Sequence, residues 1–308
     1  MTRSLILVTG SPRSGTTPVG DVIALGGGVR SLYEPLNFHV GDRRVGRYFE
    51  IPGSEEFPFD VADEFVRDVA AVRLRLKRGA RPDDHGWRRV AKTFVGNRTT
   101  VSVRRARIDR RATTILWKDP FAAFWVRRLV EVHNVPVVVT VRPPLAVAAS
   151  FKRLAWGFDV AGISERLGRD PGPISGMSAD RLRDPVVNAA ALWSLVYGEL
   201  VPLLGHPLVH VIDVDRVVSE PQQVYRELFA RLGAQWTTAV DDELSRQYGA
   251  KDAPPQPQLA RAHVRDRDVR AVNRYWDRVL DQRDVDSVAE LTSEVAQRLR
   301  AGLASTAA

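Results

Sequence analysis

Short runs of branched and aliphatic residues, each closed by Gly, Pro or a charged side chain, alternate along this chain with stretches whose apolar positions fall three and four residues apart. The first run, Ser4-Leu-Ile-Leu-Val-Thr9, stops at Gly10 and reads as a buried strand. Comparable runs predict strands at Val29–Tyr33, Thr113–Trp117, Val135–Val141 and Leu208–Asp213. The fourth is unbroken in its apolar character, as a strand buried on both faces of a parallel sheet should be. Helices are predicted over Thr16–Leu25, stopped by Gly26-Gly27-Gly28, and over Asp60–Lys77, where Val61, Phe65, Val69, Val72 and Leu76 share a face. Others follow at Ala122–His133, just beyond Arg142, at Asp184–Leu203, at Pro221–Leu232 before Gly233, and in a last region from Asp268 to Leu303. Alternating strands and helices predict an α/β fold of three layers, with a central, mostly parallel sheet of about five strands and helices on both faces. The 308 residues suit one large domain, with acceptor or lid insertions expected at about 36–60, 78–112 and 156–184.

Composition narrows the chemistry. There is no Cys, so a disulfide framework, thiolate metal site and thiol redox chemistry are excluded. The six His show no metal-ligand spacing, and no metal is expected. No Ser-His-Asp context or G-x-S-x-G elbow is present. The net charge of +8 rests on 40 Arg and only five Lys, scattered along the chain. That scatter argues against a nucleic-acid partner, whose footprint would cluster, but a basic cleft suits an anionic nucleotide. The longest apolar stretch, Val186–Leu204, contains Asn188, Glu199 and Pro202, which fits a buried helix better than a membrane span. With the first strand beginning at about Ser4, no signal peptide is read, and a cytoplasmic location is expected.

Candidate chemistry concentrates at strand ends. Gly10-Ser-Pro-Arg-Ser-Gly-Thr-Thr17 joins the first strand to a helix N-terminus. There, backbone N–H groups and the helix dipole converge on one point and favour an anion. Gly10 and Gly15 have the spacing of a phosphate-binding P-loop, G-x-x-x-x-G-K-[ST], so the fold is expected to be P-loop-type. However, Thr16 stands where the Lys should be, and the cation lies inside the loop as Arg13. Glu34-Pro35 follows the second strand, Lys118-Asp119-Pro120-Phe121 the third, and Arg142 the fourth, with Ser150 eight residues further on. Ligands of open α/β sheets bind at such carboxyl ends. Pro35 is expected to hold Glu34 in an extended conformation. Plainer readings stay open: a turn before a helix, a surface Glu paired with an Arg, and Asp119 as a helix N-cap beside an incidental Lys.

Taken together, Pro12-Arg13-Ser14-Gly15-Thr16-Thr17, Lys118-Asp119-Pro120 and the Arg142/Ser150 pair resemble the motifs of sulfotransferases that use 3′-phosphoadenosine 5′-phosphosulfate (PAPS). Glu-Pro and Lys-Asp-Pro-Phe are similar to the carbohydrate and tyrosylprotein branches. The resemblance spans roughly residues 4 to 235. It implies transfer of a sulfuryl group from PAPS, as cosubstrate, to an acceptor hydroxyl, with a carbohydrate or glycosylated metabolite expected as acceptor. Glu34, Lys118 and Arg13 would be catalytic: Glu34 the base, Lys118 and Arg13 stabilisers of developing charge. Ser11, Arg13, Ser14, Gly15, Thr16 and Thr17 would hold the 5′-phosphosulfate, and Arg142 with Ser150 the 3′-phosphate. Three departures stand out. Pro18 follows the double Thr, Pro143 follows the strand-end Arg, and no Gly-rich segment closes over the 3′-phosphate. Only Trp276, among Arg265, Arg267, Arg270 and Arg274, offers a counterpart to that segment. Two rivals remain: a P-loop nucleotide-dependent kinase, with Asp119 as its Mg²⁺-holding carboxylate, and a non-catalytic nucleotide-binding module.

Overall fold

The structure is a computed structural model that describes residues 3–77, 97–168, 174–249 and 275–307. Five parallel strands form one sheet: β1 (Ser4–Thr9), β2 (Val29–Tyr33), β3 (Thr114–Lys118), β4 (Val137–Val141) and β5 (Val209–Asp213), in the order β2-β3-β1-β4-β5. The helices are α1 (Thr16–Ile23), α2 (Phe59–Ala70), α3 (Arg98–Ile108), α4 (Val126–Glu131), α5 (Pro144–Leu154), α6 (Val160–Leu167), α7 (Ala179–Arg183) and α8 (Pro185–Leu200). After β5 come α9 (Val214–Ser219), α10 (Pro221–Leu232), α11 (Thr238–Tyr248) and α12 (Gln282–Ala307).

Strand pleating divides the interior in two. Leu5, Leu7, Ile115, Trp117, Val137 and Val139 join a core shared with α2, α5, α8 and α12. Their neighbours Ile6, Val8, Leu116 and Val138 face a second core built from α1, α10 and α11. Successive strand residues point to opposite faces, so a continuous apolar run feeds both cores at once. The expected three-layer α/β architecture is therefore present. Helix α8 continues into a 3₁₀ turn, Val201–Leu203, as the expected apolar segment. It is capped by Asp184, which accepts the Val186 and Val187 amides, and 72% of its apolar window is buried in the protein.

Several boundaries differ from expectation. The helix expected over Asp60–Lys77 ends at Ala70, because residues 72–77 run alongside residues 41–45 instead. Arg43 N–H donates to Arg75 O, Lys77 N–H to Gly41 O, and Arg75 N–H to the buried Asp42 carboxylate (2.7 Å). A shared set of tertiary hydrogen bonds outweighs local periodicity there. The helix expected from Ala122 begins as a 3₁₀ turn, Pro120–Trp125, before α4. Among the helices not expected, besides the short α6, α7 and α9, two are longer. One is α11; the other is α3, capped by Asn97 and packed beside the edge strand β2, where Ser102 Oγ accepts the Tyr33 amide (3.0 Å). Within the insertion expected at 78–112, residues 78–96 lie outside the described residues.

The expected insertion at 36–60 is irregular in backbone but closely packed. Leu36, Val40, Val45, Phe49 and Phe57 are fully buried. Tyr48, Phe49, Phe121 and Phe158 meet edge to face or tilted, at centroid separations between 4.6 and 6.1 Å. The insertion expected at 156–184 carries α6 and α7.

Candidate active site

The anion loop is pinned from below. Gly10, at φ 149°, leaves no room for a side chain: a Cβ there would stand 2.4 Å from Thr140 O on the neighbouring β4. Ser14 Oγ meets Thr140 Oγ1 at 2.8 Å. Tyr197 Oη donates to Thr140 O (2.7 Å) and accepts the Ser11 amide (3.4 Å). Ser11, Ser14, Thr140 and Tyr197 are fully buried, so these bonds form where water does not compete. Burial pushes the Tyr197 pKa well up, which keeps its hydroxyl a donor. Tyr197 lies on α8, far away in sequence, and the sequence reading missed it. The loop then enters α1 at Thr16, where the Thr16 and Thr17 amides precede the first helical bond, Val19 N–H to Gly15 O, and Pro18 carries no N–H.

Arg13 takes a positive φ of 70°, a strained conformation for a residue with a side chain. Its Nε donates to Ser150 Oγ on α5 (2.8 Å), and its guanidinium carbon lies 5.7 Å from the Trp156 ring centroid. Arg142, at the end of β4, donates through Nη1 to Arg13 O (3.1 Å), while its own carbonyl accepts from Trp193 Nε1 (3.0 Å). Arg13, Arg142 and Ser150 therefore form one group.

Lys118 is the centre of a second group. It is only 1% exposed, at the last position of β3, in register with Val8 of β1 and Tyr33 of β2. Its Nζ donates to Thr17 Oγ1 on the anion loop (3.1 Å) and to Glu34 Oε1 (3.3 Å), and it sits 3.6 Å from the Tyr33 ring centroid. Gly20 on α1 makes this path possible, since a Cβ there would come within 2.6 Å of Lys118 Cγ.

Glu34 differs from expectation in its backbone. It takes φ 48°, in the left-handed region, not the extended conformation expected before Pro35. The turn that reverses the chain decides this. Glu34 N–H donates to Lys118 O (2.8 Å), Asn37 N–H donates to Glu34 O (3.1 Å), and Leu36 N–H donates to Asp119 Oδ2 (2.6 Å). The carboxylate is directed by donors on both oxygens, Lys118 on Oε1 and Asn37 Nδ2 on Oε2 (2.9 Å). Asn37 was read only as part of a loop, yet it holds Glu34 in place.

Asp119 is completely buried and turned inward. It accepts the amides of Leu36 and Phe121 and Trp117 Nε1 (3.2 Å), capping the 3₁₀ turn and tying the 36–59 segment to β3. Burial and the nearby Glu34 charge push its pKa up to about 7, against the pull of those three donors.

Similar solved structures include bacterial sulfotransferases. The chain is 16% identical to the sulfotransferase domain from the Synechococcus PCC 7002 olefin synthase, covering 94% of each chain at a TM-score of 0.45. It is 14% identical to the sulfotransferase domain from the curacin biosynthetic pathway, covering 95% of this chain and 98% of that one at 0.45. For a sulfotransferase from Alicyclobacillus acidocaldarius the values are 14%, 96% and 97% at 0.42. No protein-family model and no curated protein matches the chain.

Proposed function

We propose that this chain is a PAPS-dependent sulfotransferase acting on an acceptor hydroxyl. One observation carries the reading: a single buried lysine, Lys118, contacts both the anion loop, at Thr17, and the carboxylate of Glu34. A cation shared by an anion site and a base is what in-line transfer of an anionic group requires. PAPS would supply the sulfuryl group. The acceptor's proton passes to Glu34 as its oxygen bonds to sulfur, and the bond from sulfur to the phosphate oxygen breaks. Charge left on that oxygen is met by Lys118 and by the α1 amides around Thr16 and Thr17. Arg142 and Ser150 suit the 3′-phosphate, and Arg13, whose Nε reaches Ser150, extends that site. This assigns Arg13 to nucleotide binding ahead of its expected role beside the transferring group. Trp276, the expected counterpart to the missing Gly-rich segment, lies in a 3₁₀ turn, Tyr275–Arg278, and packs against the larger core, while its neighbours Arg265, Arg267, Arg270 and Arg274 lie outside the described residues.

The kinase reading needs a carboxylate facing the loop to hold Mg²⁺. Asp119, its candidate, is buried and engaged by three N–H donors. A purely nucleotide-binding module would have no use for an oriented Glu34. The test is consumption of PAPS against a panel of hydroxyl acceptors, with and without EDTA, beside a parallel series with ATP and Mg²⁺. Turnover with PAPS that survives chelation is expected; turnover only with ATP and Mg²⁺ would overturn the reading.

A further inference from the structure

The packed segment 38–48 and α6 enclose a cavity of about 290 Å³. Its walls are the rings of Phe38, Tyr48 and Phe158, with Ile163 beside them. Phe38 follows directly on Asn37, which holds the Glu34 carboxylate. Tyr48 meets the Phe121 ring, three residues beyond Lys118, so two of the cavity's walls, Phe38 and Tyr48, are tied to the segments that carry Glu34 and Lys118. Such a volume is at the small end for ligand pockets and suits a compact body about one ring across.

Two arginines, Arg47 and Arg166, line the same cavity, which is unusual for an apolar pocket; the one carboxylate in the lining, Asp159, accepts the Gly162 amide at the start of α6. Arg47 pairs with Glu56 (2.9 Å). Arg166, in the last turn of α6, is different: among the described residues its Nε is buried and without a hydrogen-bond partner. Glu50 lies within electrostatic reach of both arginines, and its Oε1 accepts the Gly46 and Arg47 amides (2.6 and 2.9 Å). Its Oε2 is also buried and unpaired, so the carboxylate leaves Arg166 Nε unmet. A buried guanidinium N–H without an acceptor is costly, and a carboxylate is the group whose geometry fits it best.

Resting on the sulfuryl-transfer reading, we propose that the acceptor is a small hydroxy acid, its aromatic or compact apolar body held between Phe38, Tyr48 and Phe158 and its carboxylate bound by Arg166. Its hydroxyl would be presented to Glu34. The acceptor class would then be set by charge as well as by shape, in place of the neutral sugar expected from Glu34-Pro35.

Matched probes separate these possibilities. Binding of 4-hydroxyphenylacetate and of its neutral amide to the full chain, with 3′-phosphoadenosine 5′-phosphate present, can be measured by calorimetry. Relative kcat/KM for the two with PAPS can be measured in parallel. The acid should be preferred by about 10- to 100-fold in both. Arg166→Gln should bring the ratio near one, and Arg166→Lys should restore part of it. Equal binding of acid and amide by the unaltered chain, a preference that survives Arg166→Gln, or tighter binding of uncharged saccharides than of the acid would each overturn the inference. The wild-type comparison needs no variant to fold. Calorimetry also separates the two readings. Binding of the acid through Arg166 without PAPS consumption would sink the transfer reaction and keep the pocket; transfer to neutral acceptors alone would do the reverse.

Discussion

The proposed nucleotide cradle and the proposed acceptor layer lie next to each other but are built on different principles. In the cradle the side chains assigned to the nucleotide and the transferring group leave a strand end or the helix that follows it: Arg13 and Thr17 after β1, Lys118 on β3, Arg142 after β4 and Ser150 on α5. Parallel registry fixes their positions, and buried polar contacts such as Ser14 to Thr140 and Tyr197 to Thr140 remove the remaining freedom. The acceptor layer has almost no regular backbone between residues 36 and 58, and its order comes from interlocking aromatic rings together with turn and carboxylate hydrogen bonds at Asp42 and Glu50. On the proposed reading, charge-stabilising groups sit on the rigid sheet, while the groups that choose the acceptor sit where ring packing and irregular backbone hydrogen bonds set the shape. Such a division lets acceptor preference change without moving the reacting centre.

Glu34 is the point where the two regions meet, and altering it should have the largest effect. Glu34→Gln should lower turnover roughly 10²- to 10⁴-fold while leaving the nucleotide Kd near its original value. Lys118→Ala should cost about 10²- to 10³-fold by removing the cation shared by loop and base. Near-normal turnover in Glu34→Gln would return that carboxylate to a structural role and erase the proposed junction.

Within the cradle alone, Arg142→Ala should weaken binding of 3′-phosphoadenosine 5′-phosphate about 10- to 100-fold and binding of 5′-AMP far less, the loss of one charge-assisted contact. Equal losses for both nucleotides, measured by calorimetry, would count against the 3′-phosphate site.

Gly20→Ala tests whether the cradle is as rigid as its contacts indicate. The new Cβ would fall on the Lys118 side chain, which is enclosed on all sides. Overpacking of this kind costs about 1–3 kcal/mol, so Tm should fall, and turnover should fall with it as Lys118 is displaced. A variant with unchanged melting and unchanged turnover would show that Lys118 has slack.

The smallest effect is expected where the acceptor layer is fastened to the rest of the molecule. Asp63 on α2 accepts from Arg128 (2.6 Å) and lies 2.7 Å from His133 Nε2. The hydrogen bond from Arg128 is the main cause that lowers its pKa to about 2. A depressed carboxyl pKa stabilises the fold above the unfolded value near 4, and that contribution is lost as pH falls towards 2. The side chain is 23% exposed, so solvent screening leaves about 1 kcal/mol. Asp63→Asn should lower stability by that amount at pH 7 and flatten the acid limb of the stability profile between about pH 4 and 2, with turnover unaffected. An unchanged acid limb in denaturant melts at successive pH values would show that the pair contributes nothing.

Read along the chain, the sequence by itself determined the sheet, the anion loop and the charged residues at strand ends. Those features are local: an apolar run bounded by Gly, a loop opening into a helix, a cation just past a strand. Parallel pairing then brings strand ends together whatever the intervening chain does. Tertiary structure alone decided the rest. The left-handed turn at Glu34 is set by the Asp119 carboxylate and Lys118 carbonyl, both more than eighty residues away. Helix α2 ends early because Asp42 draws Arg75 into a different pairing. The Tyr197 hydroxyl under the loop and the aromatic cavity with Arg166 come from residues whose own sequence neighbourhoods carry no mark of the site. Local propensity and spacing act over a few residues, whereas hydrogen bonds and ring contacts between distant segments exist only once the chain has closed on itself.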